Sequence, residues 1–525
     1  MLPLWSPRPG AGSRPPGRDR RARALPGPVG APHARHLGEV PRVAVVGGGI
    51  AGVTAAVALA ERGVSVTLVE REPALGGRLT GWATGPEADA PTMTRGFHAF
   101  FRQYYNLRAL LRRIDPDLSF LRPVADYPLV HSNGTRESFA GLPKTPPWNV
   151  ASFVLRSQAF TLRDVARINP VAAVDLFDVS VPATYTALDR TDADAFLRDI
   201  AFPQAARHLA FEVFSRSFFA HPGELSAAEL AAMFHIYFLG SSEGLLFDVP
   251  DDPYPKTIWE PLSALLEGMG ARVCTGVEVE SIKQGSTRAH RVEPLAEEFD
   301  AVVLAADIPG LRSVVERSPE LASEQWRAGV SALRTAPPFL VSRLWLDRPV
   351  APERPEFLGT SGFAHLDNIS VLDRFEQESA RWRERTGGSV VELHAYALDE
   401  DADRQQAIDA LMAEARTVYP ELGGARVLRA EHVVRADCPL FSPGSFTSRP
   451  TVSTVDPTVV VAGDLVRVDL PVALMERAAT TGFLAANGLL AHWGLHGHDL
   501  WTVPNEGRSR FLRVGARRKR PVPTG

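Results

Sequence analysis

Three glycines, Gly47, Gly49 and Gly52, stand at the spacing G-x-G-x-x-G in "RVAVVGGGIAGVTAAVALAERGVSVTLVERE", with Gly48 and Ala51 inside the same turn. That spacing suits a pyrophosphate. The first glycine permits a tight turn, the second lets the backbone approach the ligand, and the third lets a helix pack closely on a strand. N–H groups at the start of the following helix would meet the anion. Glu70 closes the next apolar run, where a carboxylate accepts hydrogen bonds from ribose hydroxyls. An acid there favours FAD or NAD over a cofactor carrying a 2′-phosphate. A second cluster lies in "RGFHAFFRQYYNLRALL", where His98 stands among Phe97, Phe100, Phe101, Tyr104 and Tyr105. Histidine titrates near neutrality and can move a proton, and aromatic faces stabilise a developing cation. Taken alone, the same segment is equally readable as a core helix or a membrane-facing patch.

The elements that must position these residues are readable nearby. Val43 to Val46 is a continuous apolar run, as a buried parallel strand requires. The spacing of Val53, Val57 and Ala60 predicts a helix, ended at Gly63. "VSVTLVE" predicts a second strand that stops at Glu70. Strand, glycines, helix, strand and acid in register are a far stronger signal than the glycines alone.

The remaining composition sets bounds. With 525 residues and 45% hydrophobic content, the chain can build a large core of more than one domain. A net charge of -4 offers no reason to expect a nucleic-acid partner. Cys274 and Cys438 are far apart, which argues against a disulfide framework or a thiolate metal site and fits a reducing compartment. No metal site is expected. Residues 1–40 are rich in Pro, Gly and Arg without apolar periodicity, and are expected to be a disordered leader. Residues 503–525 read as a basic tail. The one long apolar stretch, Val43 to Ala60, is interrupted by glycines and suits a nucleotide turn better than a membrane span.

Further along, "REPALGGRLTGW" holds Gly76-Gly77-Arg78, "TVVVAGDLVRVDLPVALMERAATTGFLAANGLL" holds Gly463-Asp464 and Met475, and "GARVCTGVEVESI" holds Val279. This set, in this order, resembles the FAD-dependent amine oxidase superfamily. The spacing Gly96-x-His98-x-Phe100-Phe101-x-x-Tyr104-x-Asn106 resembles the carotenoid desaturase branch, as does "HPGELSAAEL". The full string "GFHAFFRQYYNLR" is most similar to the isorenieratene synthase group, whose members desaturate a carotenoid ring and shift a methyl. The resemblance runs from about Arg42 to Leu495. It implies that Gly76, Gly77 and Arg78 lie along the FAD pyrophosphate, that Val279 touches the adenine through its backbone, and that Gly463 and Asp464 reach the ribityl or pyrophosphate region. It implies too that Met475 opens a helix capping the flavin. The chain departs from the linear desaturases at Arg102, Tyr105 and Arg477, where they carry Gly, Pro and Gly.

The expected fold is α/β: a discontinuous Rossmann-like FAD-binding domain with an inserted α+β substrate domain. The FAD domain is assigned to residues 43–126, 255–309 and 454–493, and the substrate domain to 127–254 and 310–453. The first insertion reads as mostly helical; the second holds strand-like runs such as "PFLVSRLWLD" and "GSVVELHAYAL".

The resemblance implies conversion of β-ionone rings of β-carotene to aromatic rings with a 1,2-methyl shift. Such chemistry needs an apolar chamber, exclusion of water and a base. His98 is the candidate base; its alternative is a histidine hydrogen-bonded within the fold. Phe97, Phe100, Phe101, Tyr104 and His235 are the candidate substrate wall, with a core position the alternative for His235. Other readings are a linear carotenoid desaturase or isomerase, a flavin amine oxidase, a redox-neutral mutase and a carotenoid-binding module. A lipid-soluble substrate without a span implies a cytoplasmic protein held peripherally at the membrane, through an apolar rim between Tyr127 and Tyr254. The electron acceptor, quinone or oxygen, is not legible.

Overall fold

A computed structural model of the chain describes residues 15–87, 89–160, 162–203, 206–207 and 218–508. The apolar run at the front forms the strand Arg42–Val46, followed by the helix Ile50–Ala60 and the strand Ser65–Glu70. These strands belong to a five-stranded parallel sheet in the order Arg272–Thr275, Ser65–Glu70, Arg42–Val46, Ala301–Leu304, Val459–Val461. Its strands thus come from all three segments assigned to the FAD domain. Every residue of the helix Ile50–Ala60 is buried, which explains its all-round apolar composition. The helix Leu474–His492 packs across it. Gly482 makes this close approach possible, because a Cβ there would collide with the Ala51 carbonyl oxygen.

A second sheet has seven strands in the order Val427–Arg435, Phe339–Leu346, Val390–Ala395, Asn368–Val371, Phe357–Ser361, Leu129–His131, Arg136–Glu137. All its pairs are antiparallel except Phe357–Ser361 with Leu129–His131. Both runs read as strands in the second insertion, "PFLVSRLWLD" and "GSVVELHAYAL", lie in it. So do two short strands of the first insertion, whose remaining described elements are mostly helices, including Trp148–Arg156, Pro170–Phe177 and Ala227–Phe234. A short third sheet ties Phe100–Phe101 to Phe247–Pro250 and Leu121–Pro123.

The leader differs from its expectation. Residues 1–14, like residues 509–525 of the basic tail, lie outside the described residues, but residues 15–40 are ordered. Arg23–Leu25 pairs antiparallel with Leu500–Thr502. Ala31 donates to the Gly494 carbonyl and accepts the His496 N–H, and the Pro28 carbonyl accepts the Gly497 N–H. Asp19, 2% exposed, accepts hydrogen bonds from the Ser242 N–H (3.0 Å) and the Arg508 guanidinium (2.5 Å). Low apolar periodicity misled the reading because this segment is held by backbone pairing and one buried carboxylate rather than by an apolar face.

Candidate functional site

The glycine turn forms as its spacing requires. Gly47 has φ 109°, and a Cβ there would lie 2.5 Å from the Ala305 carbonyl oxygen. Gly52 allows helix and strand to touch, since a Cβ would strike the Gly47 carbonyl. Gly49 is different. A Cβ there would meet nothing nearer than the Gly77 Cα, at 3.9 Å. The two glycine turns therefore lie against each other, a Cβ on Gly77 falling 3.3 Å from the Gly49 Cα, with the N-terminus of the helix Ile50–Ala60 beside them. Gly47, Gly49, Ala51, Gly76 and Gly77 all line a cavity of about 780 Å³. Gly48 does not line it; its N–H donates to the Glu70 carboxylate at 2.6 Å. Glu70 does line the cavity, and burial raises its pKa against the opposing hydrogen bonds from Glu72 and Gly48.

Residues distant in sequence complete the cradle. Val279, Gly463, Asp464 and Met475 line the same cavity. Arg78 reaches Asp464 at 2.5 Å, so the cation of one motif is held by the carboxylate of another. Burial opposes charge on Arg78, and Asp464, with Cys438 and Asp437, together outweigh it. The fit to a flavin dinucleotide is therefore physical: a cavity walled by two side-chain-free glycine turns, a helix N-terminus, a strand-end acid and a guanidinium.

The aromatic segment forms a second part of the cavity wall. Phe97, His98, Phe101 and Tyr104 line it, with Phe219, Tyr237 and Phe247 from the insertion. Tyr104 and Tyr237 meet hydroxyl to hydroxyl at 2.5 Å. Two expected wall residues lie elsewhere. Phe100 is fully buried in the core, because alternation in the strand Phe100–Phe101 turns it away when Phe101 points in. His235 is also buried off the cavity, its Nε2 2.6 Å from the Pro504 carbonyl oxygen, at the start of a π-helical turn. Burial lowers its pKa to about 4.

His98 is held in one tautomer. Its Nδ1–H donates to the Gly96 carbonyl at 2.9 Å, which leaves the Nε2 lone pair as the acceptor. Tyr254 pins the same loop, donating to the Gly96 carbonyl and accepting the His98 N–H, each at 3.0 Å. Burial, only partly offset by the hydrogen bond to Gly96, lowers the His98 pKa to about 4. The imidazole is neutral at physiological pH and available as a proton acceptor.

The three departures from the linear desaturases do not line the cavity. Arg102 and Arg108 bind Asp248, at 3.3 and 2.8 Å. Tyr105 donates to Glu243 at 3.1 Å. Arg477 is 3% exposed, yet its charge is met: Glu229 accepts from Arg477 and from Arg449, each at 2.8 Å. Burial opposes charge on Glu229, and the two arginines outweigh it, lowering its pKa. Arg477 also donates to the Asp464 carbonyl at 3.3 Å, so the bulky cation braces the cradle from behind.

Sequence reading missed a buried polar chain. Arg343 donates to Glu392 Oε2 through Nε and Nη2, at 2.9 and 2.7 Å. Glu392 Oε1 lies 2.8 Å from His394 Nε2, and His394 Nδ1 lies 2.5 Å from the Tyr396 hydroxyl. His394 and Tyr396 line the cavity. The available signal was the alternation E-L-H-A-Y, which puts three polar side chains on one face of an otherwise apolar strand.

Comparison with known proteins agrees with this geometry. The model of the flavin containing amine oxidoreductase family matches residues 50–490. Carotenoid phi-ring synthase of Streptomyces griseus is 60% identical over 500 residues, covering 95% of this chain and 96% of that protein. Carotenoid phi-ring synthase of Chlorobaculum tepidum is 27% identical over 89% of this chain and 91% of that protein. A solved structure of putrescine oxidase shares the fold, with a TM-score of 0.62 at 14% identity over 86% of this chain and 99% of that one. The chain belongs to the flavin containing amine oxidoreductase family, in its carotenoid-desaturase branch, and is an FAD-dependent oxidoreductase.

Proposed function

We propose that this protein converts the β-ionone ring of a carotenoid such as β-carotene into an aromatic ring, with a 1,2-methyl shift. The observation that carries the reading is one cavity whose wall combines the dinucleotide cradle with an aromatic chamber containing His98. Similarity to two phi-ring synthases supports it.

FAD, when bound, supplies the acceptor for hydride equivalents leaving the ring. The chain's own residues do the rest. Arg78 and Asp464 hold the cradle, and Phe97, Phe101 and Tyr104 exclude water and offer ring faces to a cation. His98 Nε2 accepts a proton from the ring once the methyl has moved. The five-stranded unit holds the dinucleotide, and the seven-stranded sheet with the helical insertion holds the polyene.

We also propose a cytoplasmic protein in peripheral membrane contact. Among the described residues no helix is long and apolar enough to cross a membrane. Three large apolar side chains in the helical insertion are strongly exposed: Trp148 at 67%, Leu155 at 80% and Val171 at 61%. Such a patch suits an interfacial anchor for a lipid-dissolved substrate. A quinone or oxygen is the electron acceptor we propose.

Expression in cells that accumulate β-carotene tests the reaction. The expected product has lost four hydrogens per converted ring while keeping all its carbons. Unchanged β-carotene beside flavin-loaded protein would refute ring aromatisation, and turnover of acyclic carotenes alone would assign a linear desaturase.

A further inference from the structure

Aromatising one ring removes two hydrogens as hydride equivalents and two as protons. His98 accounts for one proton acceptor. The cavity wall holds another arrangement able to take a proton, at the end of the strand Val390–Ala395.

Glu392, His394 and Tyr396 alternate along this strand and its extension. Glu392 is fully buried, and Arg343 beside it is 2% exposed. Besides the Arg343 guanidinium, the carboxylate accepts the Phe97 N–H at 2.9 Å. A carboxylate in this setting only accepts, so the 2.8 Å contact means that His394 Nε2–H donates. With Nε2–H committed to Glu392, Nδ1 faces the Tyr396 hydroxyl at 2.5 Å and is placed to accept its proton. Burial opposes charge on Glu392, but Arg343 and His394 overcome this and hold its pKa at about 2. A buried anion therefore stands behind the His394 imidazole, which stands behind a phenol. The Tyr396 ring packs edge-on against Phe219 at 4.9 Å, and both line the cavity. His394 is also close to the His98 loop: a Cβ on Gly96 would lie 2.8 Å from His394 Cε1. The two proton-accepting groups thus flank the same turn.

A structural ion pair would need only Arg343 and Glu392. The extension through His394 to a cavity-lining hydroxyl has the logic of a nucleophile–base–acid chain, in which the acid orients the imidazole and stabilises its charged form. We propose that Tyr396 is a second proton acceptor of the ring chemistry, with His394 and Glu392 as positioning residues behind it. The assignment rests on the aromatising reaction proposed above. In the step, a C–H bond of the cationic ring breaks and its electron pair stays in the ring as a new double bond. The proton goes to Tyr396 Oη while the phenol's own proton passes to His394 Nδ1. The positive charge then lies between Nε2–H and the Glu392 carboxylate. No group is oxidised or reduced in this transfer.

The test uses FAD-loaded protein with β-carotene in liposomes, without oxygen for the first half-reaction and with a quinone added as electron acceptor for turnover, because two hydride equivalents leave each ring and one FAD takes one. Flavin bleaching reports loss of the first hydride equivalent, and chromatography reports aromatic product. Tyr396→Phe removes only the hydroxyl and keeps the ring against Phe219. It should bind flavin and bleach at close to the wild-type rate, while aromatic product falls by ~10²-fold or more and a partly desaturated ring accumulates. His394→Gln, a second variant that keeps polar contact with Glu392, should divide the two readouts in the same way. Aromatic product at the wild-type rate in Tyr396→Phe would overturn the proposal, as would bleaching and product falling in parallel in both variants. Wild-type protein that makes no aromatic ring would overturn the proposed reaction, and the relay with it; that outcome is read on the wild type alone.

Discussion

Replacing Glu229 by Gln tests whether the Arg477 departure is compensated as the geometry implies. Glu229 and the two arginines it joins are each only 1–4% exposed at the side chain. The substitution keeps shape and some hydrogen bonding but leaves two buried guanidinium groups facing a neutral amide. Removing one partner of a buried pair costs ~3–5 kcal/mol, mostly the penalty of uncompensated charge. Two cations share this carboxylate, so the upper half of that range is expected. At an unfolding entropy of ~2.1 cal/mol/K per residue, ~4 kcal/mol over a unit of this length is roughly a 4 °C fall in Tm. Arg477 also holds the Asp464 carbonyl, and Asp464 holds Arg78, so FAD should be retained less tightly. The assay is thermal unfolding of FAD-loaded protein, followed by flavin fluorescence on dilution. The double variant Glu229→Gln/Arg477→Met removes one orphaned cation and should recover part of the loss, a coupling measurable by a double-mutant cycle. An unchanged Tm in Glu229→Gln, or a double variant less stable than the sum of the single ones, would refute the argument.

Gly49→Leu should fold with unchanged secondary structure by circular dichroism and yet purify without flavin absorbance, because its Cβ meets no atom nearer than 3.9 Å while its side chain would occupy the cavity that Gly49 lines; Gly52→Ala should instead yield little folded protein, because its Cβ meets backbone. His98→Gln should retain FAD but lose ~10²–10⁴-fold in product formation, measured at equal flavin loading. The lowered His98 pKa gives a pH prediction with a definite sign. A group at about 4 in the folded state stays neutral from pH 8 to well below 6.5, so no acid limb of the wild-type rate near pH 6.5 should come from this residue. The same shift means that the unfolded chain takes up the proton first, so His98 contributes a loss of stability as pH falls from 6.5 toward 4, to be seen in Tm against pH beside the Gln variant. Trp148→Ser/Leu155→Ser should reduce co-flotation with liposomes while leaving flavin content unchanged; undiminished flotation would move the membrane patch elsewhere.

The strand, glycine turn, helix and second strand at the front were legible because their physics is local. A turn with positive φ, a helix N-terminus and a strand-end acid all fall within residues 42–70, and each demands a residue type that sequence displays directly. The parallel strands were legible for the same reason, as short apolar runs. What sequence could not contain is pairing across hundreds of positions. That Arg78 meets Asp464, that Arg477 meets Glu229, and that residues 15–40 pair with the C-terminal end depend on which surfaces the two sheets bring together. The same holds for the aromatic segment. Its composition left core, membrane patch and chamber wall open and only the family resemblance implied a wall; strand alternation and the placing of Phe247–Pro250 decided that Phe101 lines the cavity while Phe100 belongs to the core. His235 shows the limit most plainly: an aromatic neighbourhood raises the odds of a cavity residue, yet one hydrogen bond to the Pro504 carbonyl, nearly 270 positions away, holds it elsewhere. Glu392, His394 and Tyr396 were visible as an alternation and nothing more. Their chemistry comes from Arg343 on the neighbouring strand and from the cavity at their end, and both exist only once the seven-stranded sheet has formed.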